Sequence, residues 1–124
     1  MDMCEVFKAL GDETRLRIIA MLARQELCVC VICEVLRIPQ PTVSKHLNRL
    51  RMAGLIRCRR ISQWCFYRVS EAFAASSLFD CLNNLWRESR EFSGDAERLQ
   101  SLLENNVCQE QLLQRSRRDH RVES

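Results

Sequence analysis

The chain has 124 residues, with 8 Cys, 3 Gly, 2 Pro and a formal net charge of +3. A chain of this length forms one domain and buries enough surface to fold without a disulfide or a metal. Its few Gly and Pro and its moderate Cys content exclude a small secreted disulfide-rich protein. The N-terminal residues do not resemble a signal peptide, and every apolar run is shorter than the ~18 residues of a membrane span. We therefore expect a cytoplasmic protein with reduced thiols and no membrane partner.

The charge is distributed unevenly along the chain. Between Val35 and Ser70 there are eight basic residues and no Asp or Glu, so this segment carries +8. The other 88 residues sum to −5. A merely solvated surface does not account for the absence of acids over 36 residues, whereas a surface that binds a polyanion does.

Apolar residues three or four positions apart predict a mainly helical chain. A first helix, about 4–10, is expected to end at Gly11, and Asp12 is expected to cap a second helix through about residue 24. A short third helix covers about 29–36. Since Pro39 disfavours helix at the residue before it, residues 37–40 are predicted to form a tight turn.

A fourth helix is predicted to start at Pro41, which suits the first helical turn, and to end at Gly54. Val43, Leu47 and Leu50 have the spacing of a buried stripe, and the opposite face carries short polar and basic side chains. Two segments rich in β-branched and aromatic residues follow, at 55–60 and 64–69. They are joined by residues 61–63 and predict a β-hairpin.

This order of elements is typical of a winged helix-turn-helix, a mainly α fold with a β-hairpin wing. The helix-turn-helix spans about 29–53 and the wing about 55–69, within a DNA-binding and dimerisation domain of residues 1–93. The fourth helix is expected to enter the major groove of double-stranded operator DNA. The side chains expected at base edges are Gln40, Thr42, Ser44 and His46, and those expected at phosphates are Lys45, Arg49, Arg59 and Arg60.

Two more helices are predicted after the wing. Ser70 is expected to cap a long helix through about Arg90, and Asp95 to cap another within a C-terminal segment, 94–124, that ends in a frayed tail. Apolar stripes at 73–86 and 99–113 exceed what one small domain can obviously bury. They predict a homodimer, which also suits a two-fold operator.

Three cysteines lie within six residues, at Cys28, Cys30 and Cys33. Zinc prefers four ligands, whereas trivalent arsenic or antimony takes three thiolates, and soft ions prefer sulfur. On a regular helix Cys28 and Cys30 would be about 200° apart, so binding is expected to reshape the first turn of the third helix. A disulfide switch that uses the same thiols is an open alternative. Cys65 and Cys81 are expected to be small buried apolar residues.

Several motifs together resemble the ArsR/SmtB family of winged-helix metal-responsive repressors. They are ELCVC at 26–30, PTVSKHL at 41–47, LRMAGL at 50–55, WCFYR at 64–68 and KALGDETRLR at 8–17. The cysteine motif is similar to that of the arsenic-sensing branch, which implies Cys28, Cys30 and Cys33 as ligands of arsenite or antimonite. The resemblance also implies a homodimer that is joined through the N-terminal helix and the long helix about 71–90 and leaves its operator when the inducer binds.

The chain departs from this family at two positions and leaves one alternative open. Val31 stands where the arsenic branch usually has Asp, and Ser62 stands where the wing turn usually has Gly. A sister branch senses cadmium and lead with additional N-terminal cysteines, for which Cys4 is a candidate. Cys108 is a further candidate ligand or a core residue.

An enzyme is the remaining class. Cys81 and Arg87 have the spacing of a phosphatase or arsenate-reductase loop, but that chemistry needs a loop of backbone N–H groups around an oxyanion. The segment has no Gly and follows a helical pattern. We therefore expect no enzymatic activity.

Overall fold

A computed structural model describes residues 2–105, apart from the side chains of Glu91 and Asn105. It contains the following elements: α1 Met3–Leu10, α2 Glu13–Leu22, β1 Leu27–Cys28, α3 Val29–Leu36, α4 Gln40–Met52, β2 Ile56–Ile61, β3 Trp64–Val69, α5 Glu71–Ala74, α6 Ser77–Glu88 and α7 Arg90–Asn105. The predicted winged helix-turn-helix is confirmed, with α3 and α4 as its helices and β2–β3 as its wing. None of the helices in this part of the chain has the length and apolar character needed to span a membrane.

The predicted stripe of α4 packs into the core. Val43, Leu47 and Leu50 are fully buried, and apolar burial of this size contributes about 1.5–3 kcal/mol per side chain. Gly54 follows the helix with a φ of 80°, a left-handed conformation that glycine adopts without a steric penalty. The buried stripe therefore fixes which face of α4 is presented to solvent.

A short strand, β1, was not predicted. It pairs antiparallel with β3 through Leu27 opposite Tyr67 and Cys28 opposite Phe66, which gives a sheet of order β1-β3-β2. Two residues are too few for an alternation of apolar and polar side chains to show in a sequence. The strand connects the start of α3 directly to the wing.

The hairpin turn consists of Ser62 and Gln63, between Ile61 and Trp64 at the last paired position. Ser62 has a φ of 57°. The left-handed geometry expected at this position is therefore present although the residue is not glycine.

The prediction of one long helix after Ser70 was wrong. Ser70 caps only the four-residue α5, where its side chain accepts a hydrogen bond from the Phe73 N–H at 3.2 Å. Ser76 then adopts an extended backbone and caps α6 by accepting from the Phe79 N–H, also at 3.2 Å. Because a serine hydroxyl can satisfy the first N–H groups of a helix, this second cap interrupts the helical pattern.

The prediction that Asp95 caps a helix was also wrong. Helix α7 begins at Arg90 and passes through Gly94, so Asp95 lies inside it. The Asp95 carboxylate is buried and accepts two hydrogen bonds of 2.8 Å from Arg17 of α2. It also accepts one of 2.7 Å from Arg98. This tertiary ion pair overrides the capping preference of aspartate.

Helix α7 crosses the predicted domain boundary between residues 93 and 94. Its Leu99 is 3% exposed and belongs to the core, and the helix packs against α2 and α3. The predicted division of the chain remains a prediction. The end of the predicted C-terminal helix, with Cys108, Leu112 and Leu113, lies outside the described residues. The predicted frayed tail, from about residue 116, also lies outside them.

Candidate nucleic-acid interface and thiol site

Helix α4 presents a polar outer face. Four of the side chains that were predicted from the sequence to contact DNA are exposed on this face, namely Gln40, Thr42, Ser44 and Lys45. The helix has no acidic residue, and Arg49 and Arg51 lie in its last turn. An exposed helix with hydrogen-bonding and cationic side chains can enter a DNA groove and contact base edges and phosphates.

His46 has a different environment from these four residues. Its side chain is only 20% exposed, and its Nδ1 lies 3.3 Å from Nη1 of Arg15 and 4.0 Å from Oδ1 of Asp12. Arg15 also donates from Nε to the Ala9 carbonyl at 2.5 Å. The structure therefore directs His46 toward the α1–α2 junction, and its predicted contact with a base remains a prediction.

Two of the predicted phosphate-binding arginines are paired with carboxylates. Arg49 Nη1 lies 3.1 Å from Oε2 of Glu5 in α1. Arg59 of the wing donates to Oε1 of Glu26 from Nε at 3.0 Å and from Nη2 at 2.5 Å. Arg60, one position further along β2, is exposed. The predicted cations thus differ in how readily they can reach a phosphate.

The first two cysteines of the motif are brought together. Cys28 belongs to β1 and is the N-cap residue of α3, with an extended backbone at φ −71° and ψ 146°. Its Sγ lies 2.9 Å from Sγ of Cys30. The expectation that helical geometry keeps these two side chains about 200° apart was wrong, because Cys28 lies outside the helix.

This contact shifts the pKa values of the two thiols in opposite directions. The hydrogen bond between the two thiols lowers the pKa of Cys30 to about 7. The same hydrogen bond, together with burial, raises the pKa of Cys28. Near neutral pH, Cys30 is therefore partly a thiolate, which is the form that binds soft ions and attacks oxidants, while Cys28 retains its proton.

Cys33 takes part in the C-terminal cap of α3. Its carbonyl accepts from the Arg37 N–H and, at 3.3 Å, from the Ile38 N–H. Arg37 has a φ of 57°, so the cap combines a left-handed residue with two hydrogen bonds to the same carbonyl, one of the αL type from Arg37 and one of the Schellman type from Ile38. Burial raises the pKa of the Cys33 thiol. The backbone of Cys33 thus holds the turn that leads into α4.

The three thiols are not preassembled as a ligand set. Among residues 2–105 no group of three or more Cys, His, Asp or Glu side chains has an arrangement that could hold a metal ion. Cys28 and Cys30 are in contact, and Cys33 is three residues further along α3, on the neighbouring helical turn. A single ion bound by all three thiols would require them to move together.

The structure also places the remaining cysteines that it describes. Cys4 and Cys58 are exposed, and Cys65 is half-buried. Cys81 is exposed, so its prediction as a buried residue was wrong. It lies within α6 together with Arg87, and a continuous helix cannot wrap its N–H groups around an oxyanion.

Sequence reasoning missed Arg15 and Glu26. Each forms a contact with a residue more than 30 positions away, and neither belongs to a recognisable spacing. Glu26 directly precedes β1, and the conspicuous absence of acids begins only at residue 35. Glu34 lies closer to the basic segment than Glu26 does, so proximity to that segment does not identify Glu26 as the partner of a wing arginine.

Comparison with known proteins gives consistent matches. The family model described as bacterial regulatory protein, arsR family, matches residues 12–57. The arsenic resistance transcriptional regulator ArsR1 of Pseudomonas putida is 48% identical over 65 residues, which cover 52% of this chain and 51% of that protein. The arsenical resistance operon repressor of Escherichia coli is 40% identical over 88 residues, which cover 70% and 74%. The homodimeric winged helix-turn-helix DNA-binding domain of Mb0332 from Mycobacterium bovis has a TM-score of 0.61 at 30% identity and covers 68% and 78%.

Proposed function

The chain belongs to the ArsR family of bacterial regulatory proteins, and on that premise we propose that it is a repressor released from its operator by trivalent arsenic or antimony. It is a DNA-binding transcriptional regulator of the winged-helix class and not an enzyme. The proposed inducer site consists of Cys28, Cys30 and Cys33, hereafter the thiol site. The E. coli relative is a repressor of an arsenical resistance operon, which supports this choice of inducer.

The proposed DNA contacts follow the exposed face of α4. Gln40, Thr42 and Ser44 are the candidates for base edges, since they are exposed near the helix N-terminus. Lys45 and Arg60 are exposed cations for phosphates, and Arg49 and Arg59 can join them when their carboxylate partners release them. His46 contributes a contact only if it leaves Arg15.

The contact between Cys28 and Cys30 carries the proposal for the thiol site. The two sulfurs already lie 2.9 Å apart, one of them is partly ionised near neutral pH, and both are soft donors that suit trivalent arsenic. A third As–S bond would come from Cys33, and a backbone shift that accompanies its approach would act on the cap that its carbonyl forms with Arg37 and Ile38. That cap leads directly into α4.

This arrangement supports a coupling between inducer and DNA. Cys28 is paired through β1 to β3 of the wing, and Cys33 anchors the turn before α4. Drawing the three thiols together would therefore act on both DNA-contacting elements at once. In this proposal the protein exchanges between a state that binds DNA and a state that does not. Arsenite shifts this equilibrium only if it binds the second state more tightly than the first. DNA and arsenite must therefore weaken each other's binding by the same factor.

The homodimer is proposed to form through α1 and the segment 71–90, which contains α5 and α6. Helix α6 has no fully buried residue, and its Leu85 is 57% exposed. Phe7 of α1 is 56% exposed. Large apolar side chains on two helices suit a subunit interface, and the dimer would place two α4 helices about 34 Å apart, on successive turns of DNA.

The test is operator binding followed by fluorescence anisotropy while arsenite is added. We expect release of the wild-type protein, and retained binding in Cys28→Ser, Cys30→Ser and Cys33→Ser. Cys81→Ser is the matched control, because it removes an exposed thiol outside the site and should be released normally. Release of all three variants at the wild-type arsenite concentration would contradict the proposed ligands. Arsenic-edge absorption should count three As–S bonds in the wild type.

A thiol redox switch is the second candidate, and the short distance between Cys28 and Cys30 favours it. Partial ionisation of Cys30 makes this thiol susceptible to oxidants. The same anisotropy assay separates the two functions. Release by peroxide that a thiol reductant reverses, without any effect of arsenite, would support the switch and refute the inducer site.

A cadmium or lead sensor is the third candidate and rests on Cys4. This residue is exposed on α1, and within residues 2–105 it does not belong to a preformed cluster of ligands. If this alternative is correct, cadmium should release the operator in the wild type but not in Cys4→Ser.

A further inference from the structure

Two wing cysteines lie on the same face of the hairpin. In the register of β2 and β3, Cys58 is opposite Tyr67 and Arg60 is opposite Cys65. Cys58 and Cys65 are therefore diagonal neighbours, two positions out of register on adjacent strands. Since side chains alternate between faces along a strand, both thiols are on the face that also carries Tyr67 and Arg60.

The two thiols are in reach of each other and of solvent. Cys58 is exposed and Cys65 is half-buried, and neither forms a disulfide. Burial raises the pKa of the Cys58 thiol, and the neighbouring Cys65 thiol raises it as well. The Tyr67 hydroxyl and the positive charge of Arg51 in α4 act in the opposite direction.

The diagonal arrangement favours a bridging atom over a direct disulfide. Diagonal pairs have Cα atoms about 7–8 Å apart, and a disulfide usually requires about 4.4–6.8 Å. An atom that bonds to both sulfurs extends the bridge and removes this conflict. A pyramidal trivalent centre holds two sulfurs on the same side, which suits two side chains that project from one face of a sheet.

We propose that Cys58 and Cys65 form a second site, the wing dithiol, which binds a monosubstituted trivalent arsenical. The reaction is a ligand exchange in which R–As(OH)₂ and two thiols form two As–S bonds and break two As–O bonds. The two thiol protons leave with the hydroxides as two molecules of water, and arsenic remains trivalent. No oxidant or reductant is needed.

The wing dithiol is distinct from the thiol site. Cys28 is opposite Phe66 on β3, so strand alternation places its side chain on the other face of the sheet from Cys65. The three thiols of the thiol site suit an ion without an organic substituent. The two thiols of the wing suit a trivalent arsenical that already has one As–C bond, since two positions on arsenic then remain for sulfur.

The experiment measures binding of phenylarsine oxide to the full chain by native mass spectrometry, without DNA. A Cys28→Ser/Cys30→Ser/Cys33→Ser variant should still bind one equivalent. Adding Cys58→Ser or Cys65→Ser should abolish retention, with a loss of about 10²-fold in affinity because the second As–S bond forms at high effective concentration. Adding Cys81→Ser instead should change nothing.

Differential alkylation of the wild-type protein provides a second readout that needs no variant. Phenylarsine oxide should protect Cys58 and Cys65 together from iodoacetamide, in addition to any protection of Cys28 and Cys30. Protection of only one of the two wing thiols would overturn the proposal. Full retention by the variant that carries Cys58→Ser in addition to Cys28→Ser, Cys30→Ser and Cys33→Ser would also overturn it. Both readouts report site occupancy, so they stand or fall independently of operator release.

Discussion

The paired and exposed arginines of the wing lead to a quantitative prediction about DNA binding. Arg60 is exposed, whereas Arg59 donates two hydrogen bonds to Glu26 at 2.5 and 3.0 Å. For Arg59 to bind a phosphate it must give up or share this carboxylate. We therefore expect Arg60→Ala to remove a full phosphate contact from the complex and Arg59→Ala to remove much less.

The magnitude follows from counterion release. Each phosphate contact contributes about 0.9 to the slope of log K against log salt concentration. A dimer carries two copies of each arginine, so Arg60→Ala should reduce the slope by about 1.8. Between about 50 and 200 mM salt, this change corresponds to a roughly 12-fold smaller loss of affinity than in the wild type. Arg59→Ala should reduce the slope by less than half as much.

The assay is anisotropy with a labelled operator over a series of salt concentrations. Glu26→Gln is the informative companion, since it keeps the shape of residue 26 and removes the charge that competes for Arg59. This variant should bind DNA more tightly and with a steeper salt dependence. Equal reductions of slope in Arg59→Ala and Arg60→Ala, with no effect of Glu26→Gln, would show that the ion pair does not restrain Arg59.

Three further predictions concern stability and assembly. Asp95→Ala should lower the free energy of unfolding by about 3 kcal/mol, because it leaves the partly buried Arg17 without its carboxylate partner Asp95. The control variant Glu97→Ala, at an exposed position, should change this free energy by less than about 0.5 kcal/mol. Urea unfolding at matched protein concentration measures both variants. Leu85→Glu should weaken self-association at least about tenfold by placing a charge in an apolar interface, and a wild-type sedimentation profile would refute the assignment of α6. Arg37→Gly should raise the unfolding free energy by about 0.5–1 kcal/mol, because it relieves a left-handed backbone. Arg37→Ala, which retains a Cβ, should not.

Elements with a strong local pattern could be predicted from the sequence. The stripe of Val43, Leu47 and Leu50 indicated both the existence of α4 and its buried face. Apolar residues at this spacing lie on one face of a helix, and that face must pack against the core. Elements that depend on tertiary contacts could not be predicted. The local sequence predicts that Asp95 caps a helix. It does not show that Arg17, 78 positions away, will pair with this carboxylate. Ser76 shows the opposite case, where a local cap interrupts a continuous apolar pattern.

The candidate site was predictable in its residue types but not in its geometry. The spacing of Cys28, Cys30 and Cys33 identified three soft donors, and a model of one regular helix then kept the first two apart. A two-residue strand changes this, because pairing with β3 takes Cys28 out of the helix and brings its sulfur to Cys30. In the proposed mechanism, Cys33 is therefore the thiol that remains to be brought to the other two, and its carbonyl holds the turn before α4. A three-thiol inducer would then act on the residue that supports the DNA-contacting helix, a connection that two thiols alone would lack.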